Sequence, residues 1–100
     1  MKKVITISEA DRDEVQRFAI ETESRQNLIS FMLSNGMDTN TEQFRRYQAE
    51  YSDFFYRYDK AKNDITEKYV RPVVDNLDNV NWNLDFDSCE LTILLPGSEN

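Results

Sequence analysis

NWNLDFDSCELTILL, residues 81–95, is the stretch on which the fold class turns. Trp82, Leu84 and Phe86 alternate with Asn81, Asn83 and Asp85, and Cys89, Leu91, Ile93 and Leu95 alternate again after Asp87-Ser88. A period of two puts every second side chain on one face of a strand. A hairpin with Asp87-Ser88 as a two-residue loop sets Phe86 opposite Cys89, Leu84 opposite Leu91 and Trp82 opposite Ile93. All the apolar side chains then share a face, and pattern and register agree. The loop has no glycine, which leaves a longer turn open. Pro96-Gly97 ends the second strand, and residues 96–100 read as a loose tail.

Upstream the period becomes helical. Phe44, Tyr47, Tyr51, Phe54, Tyr58, Ala61 and Ile65 recur at alternating spacings of three and four, as in a coiled-coil seam. Phe55 and Tyr69 widen the stripe. The spacing predicts a helix over 41–70, before Arg71-Pro72 disfavours further regular helix. At ~1.5 Å per residue it is roughly 45 Å long. Thr39 or Thr41 starts it, and Thr39 has Glu42 in capping-box position.

An earlier stripe of Val15, Phe18, Ala19, Thr22, Ile29, Met32 and Leu33 predicts a helix over 9–34. Ser8 is its N-cap, with Asp11 where a capping box places its acid, and Asn35-Gly36 stops it. The short turn makes the helices antiparallel neighbours. Arg25 and Gln26 interrupt the stripe opposite Tyr51 and Tyr47, where Arg25 either stacks on a tyrosine ring or snorkels to water. KVITI, residues 3–7, is rich in β-branched side chains and reads as a first strand. The predicted fold is α+β: a long antiparallel helical hairpin packed on a small antiparallel β-sheet, formed by the N-terminal strand and a C-terminal β-hairpin. One hundred residues suffice for a single domain over 1–100.

Nineteen acids against twelve bases give a net charge of −7. Among the bases only Lys2-Lys3 and Arg45-Arg46 are adjacent. Such a chain repels phosphate backbones, so direct nucleic-acid binding is disfavoured. One cysteine excludes an internal disulfide and suits a reducing cytoplasm. The apolar run after Lys2-Lys3 is too short for a secretory signal, and no window approaches a membrane span.

The chemistry expected of the chain is sparse. No histidine is present, which removes the commonest general base and metal ligand. Neither glycine builds a phosphate loop. Cys89, on an apolar strand face, reads as a buried thiol rather than an activated nucleophile. The acids Glu9, Asp11, Asp13 and Glu14, and Asp85 with Asp87, are those of a helix start and a turn, and no EF-hand spacing occurs. No catalytic residue, metal site or cofactor is expected.

Surface candidates remain. Ile20, Phe31 and Tyr56 fall off the seams, where a two-helix hairpin needs no large apolar group. Glu90, Thr92 and Leu94 are the outward positions of the last strand. If the first strand pairs with residues 81–86, that last strand is a free edge open to an added peptide strand. If the first strand pairs with 89–95 instead, the free edge is 81–86. Glu21, Glu23, Asp38, Glu42, Glu50 and Asp53 form a candidate acidic face.

Two helices followed by W-x-L-x-F-x-x-C-x-L-x-I (Trp82, Leu84, Phe86, Cys89, Leu91 and Ile93), after the capped start Ser8-Glu9-Ala10-Asp11, resemble the small accessory proteins of CXXX-repeat peptide modification systems. The resemblance implies a place beside a radical-SAM maturase and a precursor peptide with cysteine at every fourth position. It supplies no catalytic residues. Three readings follow for a cytoplasmic protein without a membrane partner. The first is a non-catalytic protein- or peptide-binding accessory protein, assisting a peptide-modifying enzyme. The second is an acidic phage-type inhibitor that blocks a nucleic-acid-binding host enzyme. The third is a structural homodimer.

Overall fold

In the computed structural model, which describes residues 2–96, the last strand of the chain is the central one. The elements run β1 (Lys2–Thr6), α1 (Glu9–Ser34), α2 (Glu42–Ile65), β2 (Asn81–Asp85) and β3 (Glu90–Leu94). The fold is α+β, with two long helices and a three-stranded antiparallel sheet ordered β1-β3-β2. The chain divides into two compact units, Met1–Glu14 with Lys62–Asn100, and Val15–Ala61. They are described in turn as the sheet unit and the helical unit.

In the sheet unit, β2 and β3 pair Leu84↔Leu91 and Trp82↔Ile93, the register that the alternation of side chains predicts. The loop differs from expectation. Asp85↔Glu90 is the last pair, so Phe86 and Cys89 belong to a four-residue turn. The Asp85 carbonyl accepts from the Cys89 amide at 2.9 Å, and Cys89 adopts a left-handed φ of 61°. With no glycine in the loop, a tight two-residue turn with two positive φ angles is disfavoured, and the longer turn needs only one. Cys89 therefore sits at the end of the loop rather than in a strand, although it is buried as expected.

β1 pairs with β3, from Lys2↔Leu94 to Thr6↔Glu90. This corrects the first of the two edge expectations. Glu90, Thr92 and Leu94 are not on a free edge, because β3 has a neighbour on either side. They form the middle column of the outer sheet face, between Thr6, Val4, Lys2 on one side and Asp85, Asn83, Asn81 on the other. The inner face carries Leu91 and Ile93, both 0% exposed. One solvated and one buried face is the usual state of a small antiparallel sheet.

The inner face packs on the helix ends within the same unit. Trp82 Nε1 donates to Thr66 Oγ1 (3.0 Å), Arg12 donates to the Phe86 carbonyl (2.5 Å), and Lys3 Nζ reaches the Val73 carbonyl (2.6 Å). Helical backbone passes the expected stop at Arg71-Pro72. After Ile65 it widens to a π-helical stretch, Thr66–Val70, and then narrows to a 3-10 turn, Arg71–Val73. The Arg71 amide reaches back to the Thr66 carbonyl, and Pro72 lies in the first turn of the 3-10 segment, where its missing N–H costs little.

Ser8 caps α1 through its hydroxyl on the Asp11 amide (3.1 Å). The other half of the capping box is replaced by a tyrosine. The Ser8 amide donates to Tyr69 Oη (3.2 Å), which donates to Asp11 Oδ2 (2.6 Å).

In the helical unit, Phe18 meets Phe54 (ring centroids 6.5 Å apart), and Arg25 lies near both Phe54 and Glu50. Ascending α1 thus descends α2, so the helices are antiparallel. Arg25 stacks on Phe54 at 3.9 Å, where either a tyrosine ring or water was expected. The stop at Gly36 (φ 75°) is a Schellman motif, with Met37 N–H on the Met32 carbonyl and Gly36 N–H on the Leu33 carbonyl. Thr41, rather than Thr39, caps α2 through Phe44 N–H (3.1 Å). Residues 97–100, most of the expected loose tail, lie outside the described residues.

Leu91 has no exposed surface and sits between two paired neighbours. Leu91→Ala is expected to cost roughly 2–5 kcal/mol, read from the urea midpoint. An unchanged midpoint would show that the inner sheet face is not the core of its unit.

Candidate interaction surfaces

The off-seam apolar side chains are exposed: Ile20 at 55%, Phe31 at 66% and Tyr56 at 68%. They do not share a surface. Phe18 and Arg25 face α2, so helical period puts Ile20 and Phe31 on the outer side of α1. By the same argument Tyr56, two residues from Phe54, is on the outer side of α2.

Between these outer sides a groove runs along one flank of the helical unit. Two depressions of about 490 and 530 Å³ share Gln26, Ser30 and Tyr51 as walls. The α1 wall is mostly small or polar, with Ala19, Thr22, Gln26 and Ser30 at helical spacing and Ile29 as its one large apolar member. The α2 wall is aromatic in the second depression, with Tyr51 and Phe55 in ring contact at 6.0 Å and Phe55 49% exposed, whereas in the first Gln48, Ala49 and Ser52 accompany Tyr51. Thr22 is buried here, and its hydroxyl has no hydrogen-bond partner among the described residues. Close approach on one side and ring surface on the other are what a docked helix or chain segment requires. Sequence reading missed the groove, because Ala19, Thr22 and Tyr51 read as seam positions, Ser30 carries little hydropathy signal and Phe55 read as the margin of a core stripe.

The candidate acidic face is largely occupied. Glu21 pairs with Arg25 at 2.8 Å, Asp53 with Arg57 at 3.2 Å, and Glu50 lies 4.0 Å from Arg25. Asp38 holds its own turn by accepting from the Asn40 amide, while Glu42 occupies the first turn of α2 and Glu23 lines the groove. Charge is also divided unevenly. Residues 15–61 hold seven acids and six bases, a net −1, so the sheet unit carries −6 of the chain's −7. The six candidate acids all belong to the nearly neutral unit.

Three carboxylates of the sheet unit, Asp11, Glu67 and Asp85, are tied to structure. Asp11 sits below its ordinary 3.8 because Lys68 (2.8 Å) and Tyr69 donate to it. Arg71 lowers Glu67, and the Asp87 amide lowers Asp85. Each is held as the anion, whereas a general acid needs its pKa raised. Among the described residues no group of three or more Cys, Asp or Glu side chains is placed to hold a metal ion. No helix among them is long and apolar enough to cross a membrane.

The sheet offers a second surface. The Ile7 amide donates to the Cys89 carbonyl (2.9 Å), extending the β1–β3 register by one pair. Antiparallel pairs alternate between bonded and non-bonded, so Leu91 and Ile93 turn their backbone groups to β1, and Glu90, Thr92 and Leu94 turn theirs to β2. Asn81, Asn83 and Asp85 answer them. The N–H and C=O groups of Trp82 and Leu84 therefore point away from β3, along an edge with no strand beside it among the described residues.

No protein-family model matches the chain, and no curated protein or solved structure matches it at a significant level.

Asp11 sets a pH dependence. Its folded pKa is below the unfolded value, so its stabilisation is present above about pH 4 and is lost as pH falls through the lower folded value. Asp11→Asn should lower the urea midpoint at pH 7 and leave a smaller further loss between pH 5 and pH 2 than the parent shows. Equal losses for parent and variant over that range would remove Asp11 from the acid response.

Proposed function

We propose that this chain is a non-catalytic protein-binding accessory protein whose helical unit receives a segment of its partner in the groove between α1 and α2. The observation that carries the reading is the groove itself, small-walled on Ala19, Thr22, Gln26 and Ser30 and aromatic on Tyr51 and Phe55. Aromatic side chains half open to water beside a close-approach wall are the surfaces on which binding energy concentrates. The resemblance to accessory proteins of CXXX-repeat peptide modification makes a peptide-modifying enzyme in the cytoplasm the partner proposed. The inhibitor reading has less support, because three of its six acids, Glu21, Glu50 and Asp53, already face arginines. The homodimer reading keeps only Ile20 and Phe31, because they point away from Tyr56, which cannot join them in one two-fold interface.

A photo-crosslinking residue at Phe55, in the native host, tests this against the same residue at exposed Lys60. The expected result is one discrete heterologous adduct from position 55 and none from position 60. Tyr51→Ala in the crosslinking chain should lower its yield at least about tenfold, the loss of a modest hot spot. Identical adduct patterns from both positions would reject the groove. An adduct of twice the chain's own mass would assign it to a second copy.

A further inference from the structure

We infer that the free edge of β2 takes a cationic, extended peptide segment as a fourth strand of the sheet. The inference goes beyond the groove reading, because it concerns the other unit, and either can fail alone. Three observations converge on β2.

The first is backbone valence. Trp82 and Leu84 present N–H and C=O groups outward, and β2 has β3 as its one strand neighbour. Unpaired edge groups at this spacing are a template for an added strand.

The second is unequal protection. The other edge, β1, carries Lys2 and Lys3, and lysine on an edge discourages pairing. β2 reads Asn-Trp-Asn-Leu-Asp, with neither lysine nor proline.

The third is charge. Asp75 and Asp78 precede β2, Asp85 ends it and Asp87 follows it, and none of the four has a cationic partner among the described residues. They lie in the unit that holds −6 of the net charge. The same charge argues against a second copy at this edge, since two such units repel.

The faces of β2 define the occupant's pattern. An added strand places alternate side chains beside Trp82 and Leu84 on the inner face, and the others beside Asn81, Asn83 and Asp85 on the outer face. Apolar residues suit the first set and lysine or arginine the second. The recognised chemistry is thus an extended segment of alternating basic and apolar residues, drawn in by the acidic field and fixed by backbone hydrogen bonds.

The test uses a short capped peptide of alternating lysine and valine, titrated into the intact protein by calorimetry and by amide chemical shifts. Two further peptides accompany it: one with glutamate for lysine, and one N-methylated at alternate residues, which keeps the charge but loses the edge hydrogen bonds. The lysine peptide should bind saturably at low salt and shift the Trp82 and Leu84 amides, and the other two should bind at least about tenfold more weakly. Combined Asp75→Asn, Asp78→Asn and Asp87→Asn substitution should weaken the lysine peptide by a similar factor, and these exposed side chains are not needed for folding. Equal binding of the N-methylated peptide would show charge adsorption without strand addition and overturn the inference. Equal binding of the glutamate peptide, undiminished binding by the triple variant, or no saturable binding would also overturn it.

Discussion

The structure depends on β3 being paired on both sides. Leu91 and Ile93 have no exposure, flanked by β1 and β2 on either side and on the face that packs on the helix ends. That places the first and last described strands in contact, Lys2 against Leu94, with nearly the whole chain between them. Such non-local pairing forms only after the intervening chain has been closed into a loop. Here the intervening chain is two capped helices, so much of its freedom is already spent on local structure. The bonds of Asp11 to Lys68 and Tyr69 then join the start of α1 to the segment that follows α2. The sheet closes on a pair of helical ends, not on the ends of a random coil.

The side-chain pattern made much of this legible. The bounds of α1, the Gly36 stop and the Leu84–Leu91 and Trp82–Ile93 pairs all follow from period and cap residues, because each is decided by neighbours in sequence. What escaped the pattern was decided elsewhere. Strand order was ambiguous because β1 buries the same alternate residues whether it pairs with β2 or with β3. Loop length stays open in the sequence, because the missing glycine argues against a two-residue turn but a left-handed Cys89 leaves no trace in composition. Arg25 found Phe54 instead of a tyrosine because the offset between two antiparallel helices is set by the turn at residues 35–41, not by the stripes themselves.

The interaction surfaces were legible in part for the same reason. Ile20, Phe31 and Tyr56 stand out as large apolar residues off the seam, and they are exposed. Exposure does not make them one surface, and helical period separates them. The groove behaves in the opposite way. It is made by what is missing, the short side chains of Ala19, Thr22 and Ser30, and hydropathy is blind to a missing side chain. Only the placement of Tyr51 and Phe55 opposite them turns a weak stripe into a concave wall.

Charge distribution ties the edge of the sheet to its interior. The bases of the sheet unit are largely committed to its architecture. Lys3 binds the Val73 carbonyl, Arg12 binds the Phe86 carbonyl beside Asp13, Lys68 binds Asp11, and Arg71 binds Glu67. Most of these contacts lie on the helical segments that border the sheet. None reaches Asp75, Asp78, Asp85 or Asp87, so the surplus negative charge is left at the two ends of β2. Carboxylates without a cationic partner raise the free energy of a compact unit through self-repulsion. A cation supplied from outside relieves that repulsion and gains a strand's hydrogen bonds in the same place. The arrangement that staples the helix ends to the sheet therefore also sets the polarity of its one unguarded edge.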